Sequence, residues 1–297
     1  MKASKAIVIA QNQDVLKELA GGARALADQV IAISFCGSIT GIANKLIDVS
    51  VPEFSIVDDA YLTVNAVVEA EQPDIVLIEA SRRMQSLAGR LANHCKTTVM
   101  QDIFEFDGRV ALNRYFGGLG QRKNEITEGI KILTVAPGLY DATTATGTDL
   151  VEACVAEMPA RAIKLVKSGE ALAGETHLAK AEVVVAAGRG FSEEADLELA
   201  RKLCAKINGE LGCSRPLTEG VNWLPKGAYI GVSGLMLSPT LYVGIGISGQ
   251  MQHMVGVNSS QTIVAINKDE NAPIFKQCDF GIVGDLKTVL PAVNALL

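Results

Sequence analysis

Histidine, tryptophan and paired cysteine are what this chain has least of. Its 297 residues include three histidines, one tryptophan and six cysteines. Cys36, Cys95, Cys154, Cys204, Cys213 and Cys278 form no Cys-x-x-Cys and no close pair. In a chain of this length that pattern excludes an iron–sulfur motif and reads as buried, reduced thiols rather than a disulfide framework. Of His94, His177 and His253, only His94 adjoins a cysteine. Sequence neighbours on a helix or strand do not converge on one metal, so no zinc site is expected. Positive charge is not in excess either: 27 Lys and Arg stand against 33 Asp and Glu, a net −6. That balance argues against nucleic acid as the main partner. No apolar run approaches the ~20 residues of a membrane-crossing helix. The apolar run Ala6 to Ala10 is too short for a signal-peptide core. The expectation is a cytoplasmic protein with no direct membrane insertion.

What is present is apolar bulk and glycine. Hydrophobic residues make up 48% and glycines number 28, enough for a large core, or two, with many tight turns. In the first half, Lys5–Ala10, Val30–Phe35, Asp74–Glu79, Thr97–Met100 and Lys131–Ala136 read as strands. Asp14–Gln29, Asp58–Ala70 (capped by Asp58) and Ser81–Ala92 read as helices, with a further helix around Gly41–Leu46. The pair Gly21-Gly22 weakens the first helix. Strands alternating with helices at this spacing argue for a doubly wound parallel sheet. Yet the turn after the first strand is Gln11-Asn-Gln-Asp14. It has no Gly-x-Gly-x-x-Gly for close approach of a pyrophosphate. This half reads as nucleotide-binding architecture without the nucleotide site, a scaffold or partner-facing domain. Arg109–Phe116 is an extra strand candidate. The glycines of Gly117–Gly120 have no Lys-Ser/Thr after them, so a turn is expected rather than a phosphate cradle. A domain boundary is placed near Gly169–Glu175, giving domains 1–170 and 171–297.

The second half carries the chemistry. Strand Glu182–Ala187 runs into Gly188-Arg189-Gly190 and then helix Glu193–Ile207. Two glycines let the backbone approach a ligand while the guanidinium reaches an anion. Cys213-Ser214-Arg215 follows a second short strand, Asn267 closes strand Thr262–Ile266, and Asp285 follows strand Phe280–Val283 at the start of the last helix. Leu241–Ile247 is an uncharged apolar run with the composition of a strand buried on both faces. It breaks at Ser248-Gly249 and continues as a helix through Val255. A strand that turns into a helix through Ser-Gly leaves backbone N–H groups free at the positive end of a helix dipole. Each feature alone is ordinary. Together they lie at the carboxyl edge of one parallel sheet, where ligands of open α/β folds collect.

Residues 182–297 resemble the FAD-binding domain of the α subunit of electron-transfer flavoproteins. The resemblance rests on Val183-Val-Val-Ala-Ala-Gly-Arg-Gly190, Gly212-Cys-Ser-Arg215, Leu241–His253, Ile263–Asp269, Ala272-Pro-Ile-Phe275 and Asp279–Leu286. The first 170 residues match more loosely, through their α/β pattern and Tyr115-Phe-Gly-Gly118. The resemblance implies two doubly wound α/β domains, the first Rossmann-like without a dinucleotide fingerprint, the second holding FAD. It implies cofactor contacts from Arg189, Ser214, Ser248, Gly249, Gln250, Met251, Gln252, His253, Asn267, Asp285 and Leu286. Arg215 matches the arginine lying against the flavin ring, where a fixed cation favours the reduced, anionic flavin. His253 matches a histidine near the flavin pyrimidine oxygen, its N–H or positive charge acting in the same direction. The loop Ile230, Gly231, Val232, Ser233 departs from the family's Val-Gly-Gln-Thr-Gly. Ser233 keeps a hydroxyl for flavin N5, while Val232 replaces a glutamine side chain and implies a shifted potential. Trp223 is either a partner contact or a half-buried loop anchor.

The resemblance further implies a heterodimer with an electron-transfer flavoprotein β subunit holding AMP or a second FAD, and a flavoprotein dehydrogenase as electron source. The branch it resembles is linked to anaerobic, fatty acid (acyl-CoA) or carnitine metabolism. Two other readings stand beside the carrier: a subunit of an electron-bifurcating, NADH-dependent complex, and an NAD-dependent transferase of similar fold. No nucleophile, acid–base pair or metal set is evident, which suits an electron carrier better than an enzyme with its own substrate.

Overall fold

The computed structural model describes residues 2–116, 120–167 and 177–297. They form two units, one of residues 2–116 with 120–167 and one of residues 177–297.

The first unit is built on β1 (Ala3–Ala10), α1 (Gln13–Leu26), β2 (Ala27–Ser34), β3 (Lys45–Ser50), α2 (Tyr61–Glu71), β4 (Ile75–Glu79) and α3 (Arg82–His94). It is completed by β5 (Val99–Phe106), β6 (Val110–Tyr115), β7 (Gly120–Glu125), β8 (Lys131–Val135) and β9 (Leu150–Val155). The nine strands run in the order β7-β6-β5-β8-β4-β1-β2-β3-β9. Ala6–Ala10 and all of β4 are buried, because central parallel strands are covered on both faces. The helix α1 packs on one face, α2 and α3 on the other. The sheet is mixed rather than wholly parallel: β6 pairs antiparallel with both β5 and β7. The second of these hairpin strands, Gly120–Glu125, is polar enough to escape notice in the sequence. The glycine run at Gly117–Gly120 lies mostly outside the described residues, as does the Gly169–Glu175 boundary.

Local chemistry explains the departures from the expected elements. The first helix starts one residue early, with Asn12 as its cap: the side chain accepts from Asp14 N at 2.9 Å and Val15 N at 3.3 Å. A Cβ on Gly21 would lie 2.3 Å from Asp141 O, and one on Gly22 2.3 Å from the Tyr140 ring. The glycine pair that weakens this helix locally is therefore what lets segment 140–144 lie against it. No helix forms at Gly41–Leu46. Instead the Asp149 carboxylate accepts from the backbone N–H groups of Gly41, Ile42 and Ala43, and Lys45–Ser50 becomes a strand between β2 and β9. Asp58 does not cap a helix. It sits within a single 3-10 turn, Val57–Ala60, and α2 begins at Tyr61 without a side-chain cap. Most telling for function, the Glu79 carboxylate accepts from Gln11 N at 2.8 Å and Asn12 N at 3.1 Å. The chain's own anion thus takes the donors at the β1–α1 turn, the place a phosphate takes in dinucleotide-binding folds.

The second unit has β10 (Val183–Ala187), α4 (Leu197–Ile207), β11 (Glu210–Cys213), β12 (Leu241–Ile245), α5 (Met251–Met254), β13 (Thr262–Asn267), β14 (Phe280–Val283) and α6 (Leu286–Leu296). Its five strands are all parallel, in the order β11-β10-β12-β13-β14. The chain moves outward from β10 to β11, then crosses back to β12 and onward. The order therefore reverses between β10 and β12, and a crevice opens at the carboxyl ends of these strands. Trp223 is packed against the core of this unit, a loop anchor. Among the described residues no helix is long and apolar enough to cross a membrane.

Candidate functional site

A cleft of about 530 Å³ opens at this switch point, within the size range of small-molecule sites. Its wall is supplied by the ends of four strands and the turns that follow them: Arg189 and Gly190 after β10, Ser214 to Pro216 after β11, Gly246 to Ser248 with Gln250, Gln252 and His253 after β12, and Asn267, Asp269, Ala272 and Pro273 at the end of β13 and beyond it. Val232, Ser233 and Tyr229 line the remaining side.

Backbone packing fixes the cleft floor. Gly190 N donates to Gly246 O at 2.9 Å, and a Cβ on Gly190 would lie 2.6 Å from Gly246 Cα. Gly246 itself has φ +62°. The two turns after β10 and β12 thus cross backbone against backbone, a contact closed to any side chain. Asn267 braces the same turn: its Nδ2 donates to Ile247 O at 2.8 Å, and its Oδ1 accepts from Asp269 N at 3.0 Å.

The turn after β12 is the most informative stretch. Gly249 has φ +84°, and a Cβ there would lie 2.2 Å from Ile274 N. Among the described residues, the backbone N–H groups of Ser248, Gly249, Gln250, Met251 and Gln252 donate to no acceptor in the chain. Successive free amides around a left-handed glycine form a concave nest for an anion. The helix that follows is only four residues long, too short for the dipole invoked from the sequence to carry much. The amides themselves hold the anion-binding capacity here.

Charge is placed around this nest. Arg189 is exposed and makes no ion pair among the described residues. Arg215 is exposed too, but its Nε lies 2.5 Å from Glu219 Oε2, and that hydrogen bond pushes the guanidinium pKa further up. The Ser233 hydroxyl lies 3.3 Å from Tyr229 OH, while Val232 is half exposed. His253 is 7% exposed, with Nε2 2.7 Å from the hydroxyl of the fully buried Tyr242. Burial pushes its pKa down to about 4, against an opposing pull from the Ile230 backbone. His253 is therefore neutral near pH 7, and the positive charge allowed for it in the sequence is corrected. What it offers is a neutral N–H, and its Nδ1 is a buried polar atom with no partner in the protein.

Of the sequence-derived residues, Arg189, Ser214, Arg215, Val232, Ser233, Ser248, Gln250, Gln252, His253 and Asn267 meet on this wall. Six do not. Ile230 is fully buried beneath it, and Gly231 packs on Gln252 O. Gly249 contributes its turn while its Cα faces Ile274, and Met251 is half-buried off the wall. The Asp285 carboxylate caps α6, accepting from Lys287 N at 2.8 Å. With Leu286 it borders a separate depression of about 40 Å³ that shares Gly190, Gly246 and Asn267 with the main cleft. Tyr229 and Pro216, beside the matched stretches, and Asp269 and Pro273, within them, also line the cleft. Only that placement in the sequence could have pointed to them.

These features suit a nucleotide-type cofactor on a doubly wound sheet: an anion nest, a free arginine and neutral donors along one cleft. Comparison with known proteins gives the class. Residues 7–171 match the electron transfer flavoprotein domain, and residues 177–258 match the electron transfer flavoprotein FAD-binding domain. Protein FixB of Escherichia coli (strain 55989 / EAEC) is 36% identical, over 99% of this chain and 98% of its own. Protein FixB of Shigella flexneri is also 36% identical, with the same coverage. A solved glycotransferase of kitacinnamycin aligns at TM-score 0.28 and 14% identity, over 99% of this chain and 89% of its own. That likeness is too weak to bear on fold or function. The chain belongs to the electron transfer flavoprotein α-subunit family, and its cofactor is FAD.

Proposed function

We propose that this chain is the FAD-holding half of a heterodimeric electron carrier, taking electrons from a flavoprotein dehydrogenase and handing them to a downstream acceptor. The observation that carries this reading is the run of five partnerless amides at 248–252, three of them on residues lining a cleft that also holds an unpaired arginine and a buried, neutral histidine. The set fits FAD. The amides and Arg189 suit the pyrophosphate, because free N–H donors and a planar cation both match phosphate oxygens. Arg215, Ser233 and His253 lie on the walls left for the ring. When bound, FAD supplies the redox chemistry; the protein supplies position and field. With FAD seated there, Arg215 would present a cation to the ring, Ser233 a hydroxyl, and His253 an uncharged N–H, all of which would favour added electrons. Gly190 and Gly246 keep the floor flat. Family α chains pair with a β subunit, and we place this chain in such a heterodimer, acting as a carrier with no substrate chemistry of its own.

The test uses the chain purified with its β subunit. A flavoprotein dehydrogenase and its substrate are expected to bleach the flavin, whereas NADH alone leaves it oxidised. Direct bleaching by NADH instead assigns the chain to a bifurcating complex. A colourless preparation that consumes NAD overturns the carrier in favour of a transferase.

A further inference from the structure

We infer that Tyr242 is a positioning residue that locks His253, a residue of the cleft wall, in its Nδ1–H tautomer, so that the ring's one donor is fixed before the flavin binds. The inference rests on the FAD reading above and concerns a residue outside the cleft. Tyr242 is the second residue of β12 and is fully buried. Its hydroxyl lies 2.7 Å from His253 Nε2, across the short connection through which the chain forms its anion nest. The strand makes room for the ring. Gly244 lies on the same side of the strand two residues on, and a Cβ there would come within 3.1 Å of Tyr242 Cε1 and 3.3 Å of its hydroxyl.

The direction of the hydrogen bond follows from counting donors. Burial pushes the Tyr242 phenol pKa up and holds His253 neutral near pH 7, so the pair shares two hydrogens, one on the phenol and one on the imidazole. The Tyr242 hydroxyl has a single hydrogen-bonding neighbour, His253 Nε2. If the phenol donates, Nε2 is the acceptor and the imidazole hydrogen must sit on Nδ1. If Nε2 donated instead, the phenol hydrogen and the Nδ1 lone pair would both be buried without partners in the protein, two orphans where the first arrangement leaves only the Nδ1–H. Each orphaned buried group costs about 1–3 kcal/mol, so the first arrangement is favoured. The Ile230 backbone also favours a proton on the ring, although it falls outside hydrogen-bond geometry with Nδ1. The tautomer is thus assigned by the network around the ring, as a second partner sets the face of a ligating histidine. A donor fixed before the ring arrives needs no reorganisation when charge develops on the flavin.

The chain has only three histidines, so ¹⁵N spectra of the FAD-loaded complex, with this chain alone labelled and carrying His94→Gln and His177→Gln, report His253 alone. The expected spectrum shows a pyrrole-like Nδ1 and a pyridine-like Nε2 near pH 7. Tyr242→Phe is expected to mix the two tautomers. It should also lower the flavin potential, so that the reduced-to-oxidised ratio at a fixed applied potential falls by at least about threefold, part of the worth of one hydrogen bond to a charged group. In a His253→Ala background, Tyr242→Phe should then change the potential no further. A wild-type ring protonated on Nε2 overturns the inference, and so does an equal drop in potential with His253 absent. If Tyr242→Phe fails to fold, the wild-type spectrum alone decides. A complex with no FAD is a different failure, that of the cofactor reading itself.

Discussion

Gly246→Ala is expected to strip the cleft of FAD and to lower the melting temperature of the chain by roughly 10 °C. The residue sits at φ +62°, a left-handed conformation that costs an alanine ~1 kcal/mol or more. The space is closed as well. A Cβ would lie 2.8 Å from Gly190 Cα and 3.2 Å from Gly190 N, both backbone atoms that cannot swing aside. Overpacking of that kind adds about 1–3 kcal/mol, so the total lies near 2–4 kcal/mol for one methyl group. Any relaxation would part the two turns that form the cleft floor and tilt the amides of 248–252 away from one another. Loss of affinity for FAD should exceed about tenfold, since several hydrogen bonds to a charged group depend on that floor. The control is Gly227→Ala, where no atom lies within 4 Å of the added Cβ. It should leave both flavin content and melting temperature close to the parent. Equal behaviour of the two variants, read by flavin-to-protein ratio and thermal melting, would show that the floor is not what holds the cofactor.

The second large effect concerns the reduction potential. Arg215→Ala is expected to make the flavin harder to reduce, lowering its two-electron potential by tens of millivolts, where ~30 mV is tenfold in the equilibrium. Arg215 is well exposed and paired with Glu219, so solvent and its own partner screen the cation. Two consequences follow from that geometry. Glu219→Gln should move the potential the opposite way, upward, because it frees the guanidinium from its neutralising carboxylate. The Arg215 effect should also shrink with salt, as the Debye length falls from ~10 Å at 0.1 M to ~3 Å at 1 M. Potentiometric titration of the three proteins at two ionic strengths reads all of this. A potential unchanged in Arg215→Ala, or lowered in Glu219→Gln, would remove Arg215 from the flavin environment.

Much of the second unit was legible because its signals are local. β10, β12 and β13 are short apolar runs, and each ends in glycine, serine or asparagine where the chain leaves the sheet. The carboxyl edge of a parallel sheet then gathers those ends without further information. What was not legible depends on pairs distant in sequence. Nothing near Tyr242 marks it as the partner of His253, eleven residues on. The pairing exists because β12 stays in the core while the chain folds back over its end. In the first unit, Gly41–Leu46 reads as a helix until Asp149, more than a hundred residues later, ties down the backbone of Gly41–Ala43. The edge strand β9 is almost wholly exposed and so has no apolar alternation to announce it. Its place comes only from register with β3, Lys45 against Leu150. Glu79 is the clearest case. A buried strand ending in glutamate is unremarked in sequence, yet its carboxylate takes two backbone donors at the turn where dinucleotide-binding folds seat a phosphate. The missing glycine fingerprint and the occupied turn express the same fact at two levels.

The central claim is that the cleft between the turns of β10 and β12 holds the FAD. Its most direct test is the FAD content of the purified complex, with and without Arg189→Glu in this chain. Arg189 is exposed and unpaired, so reversing its charge leaves no broken ion pair behind and should not disturb folding. The account predicts one cleft-bound FAD per copy of this chain in the parent, and loss of that equivalent in Arg189→Glu by at least about tenfold in affinity, as expected when a cation facing a phosphate becomes an anion. An unchanged FAD content in the variant, or a parent complex that carries none in this chain, would contradict it.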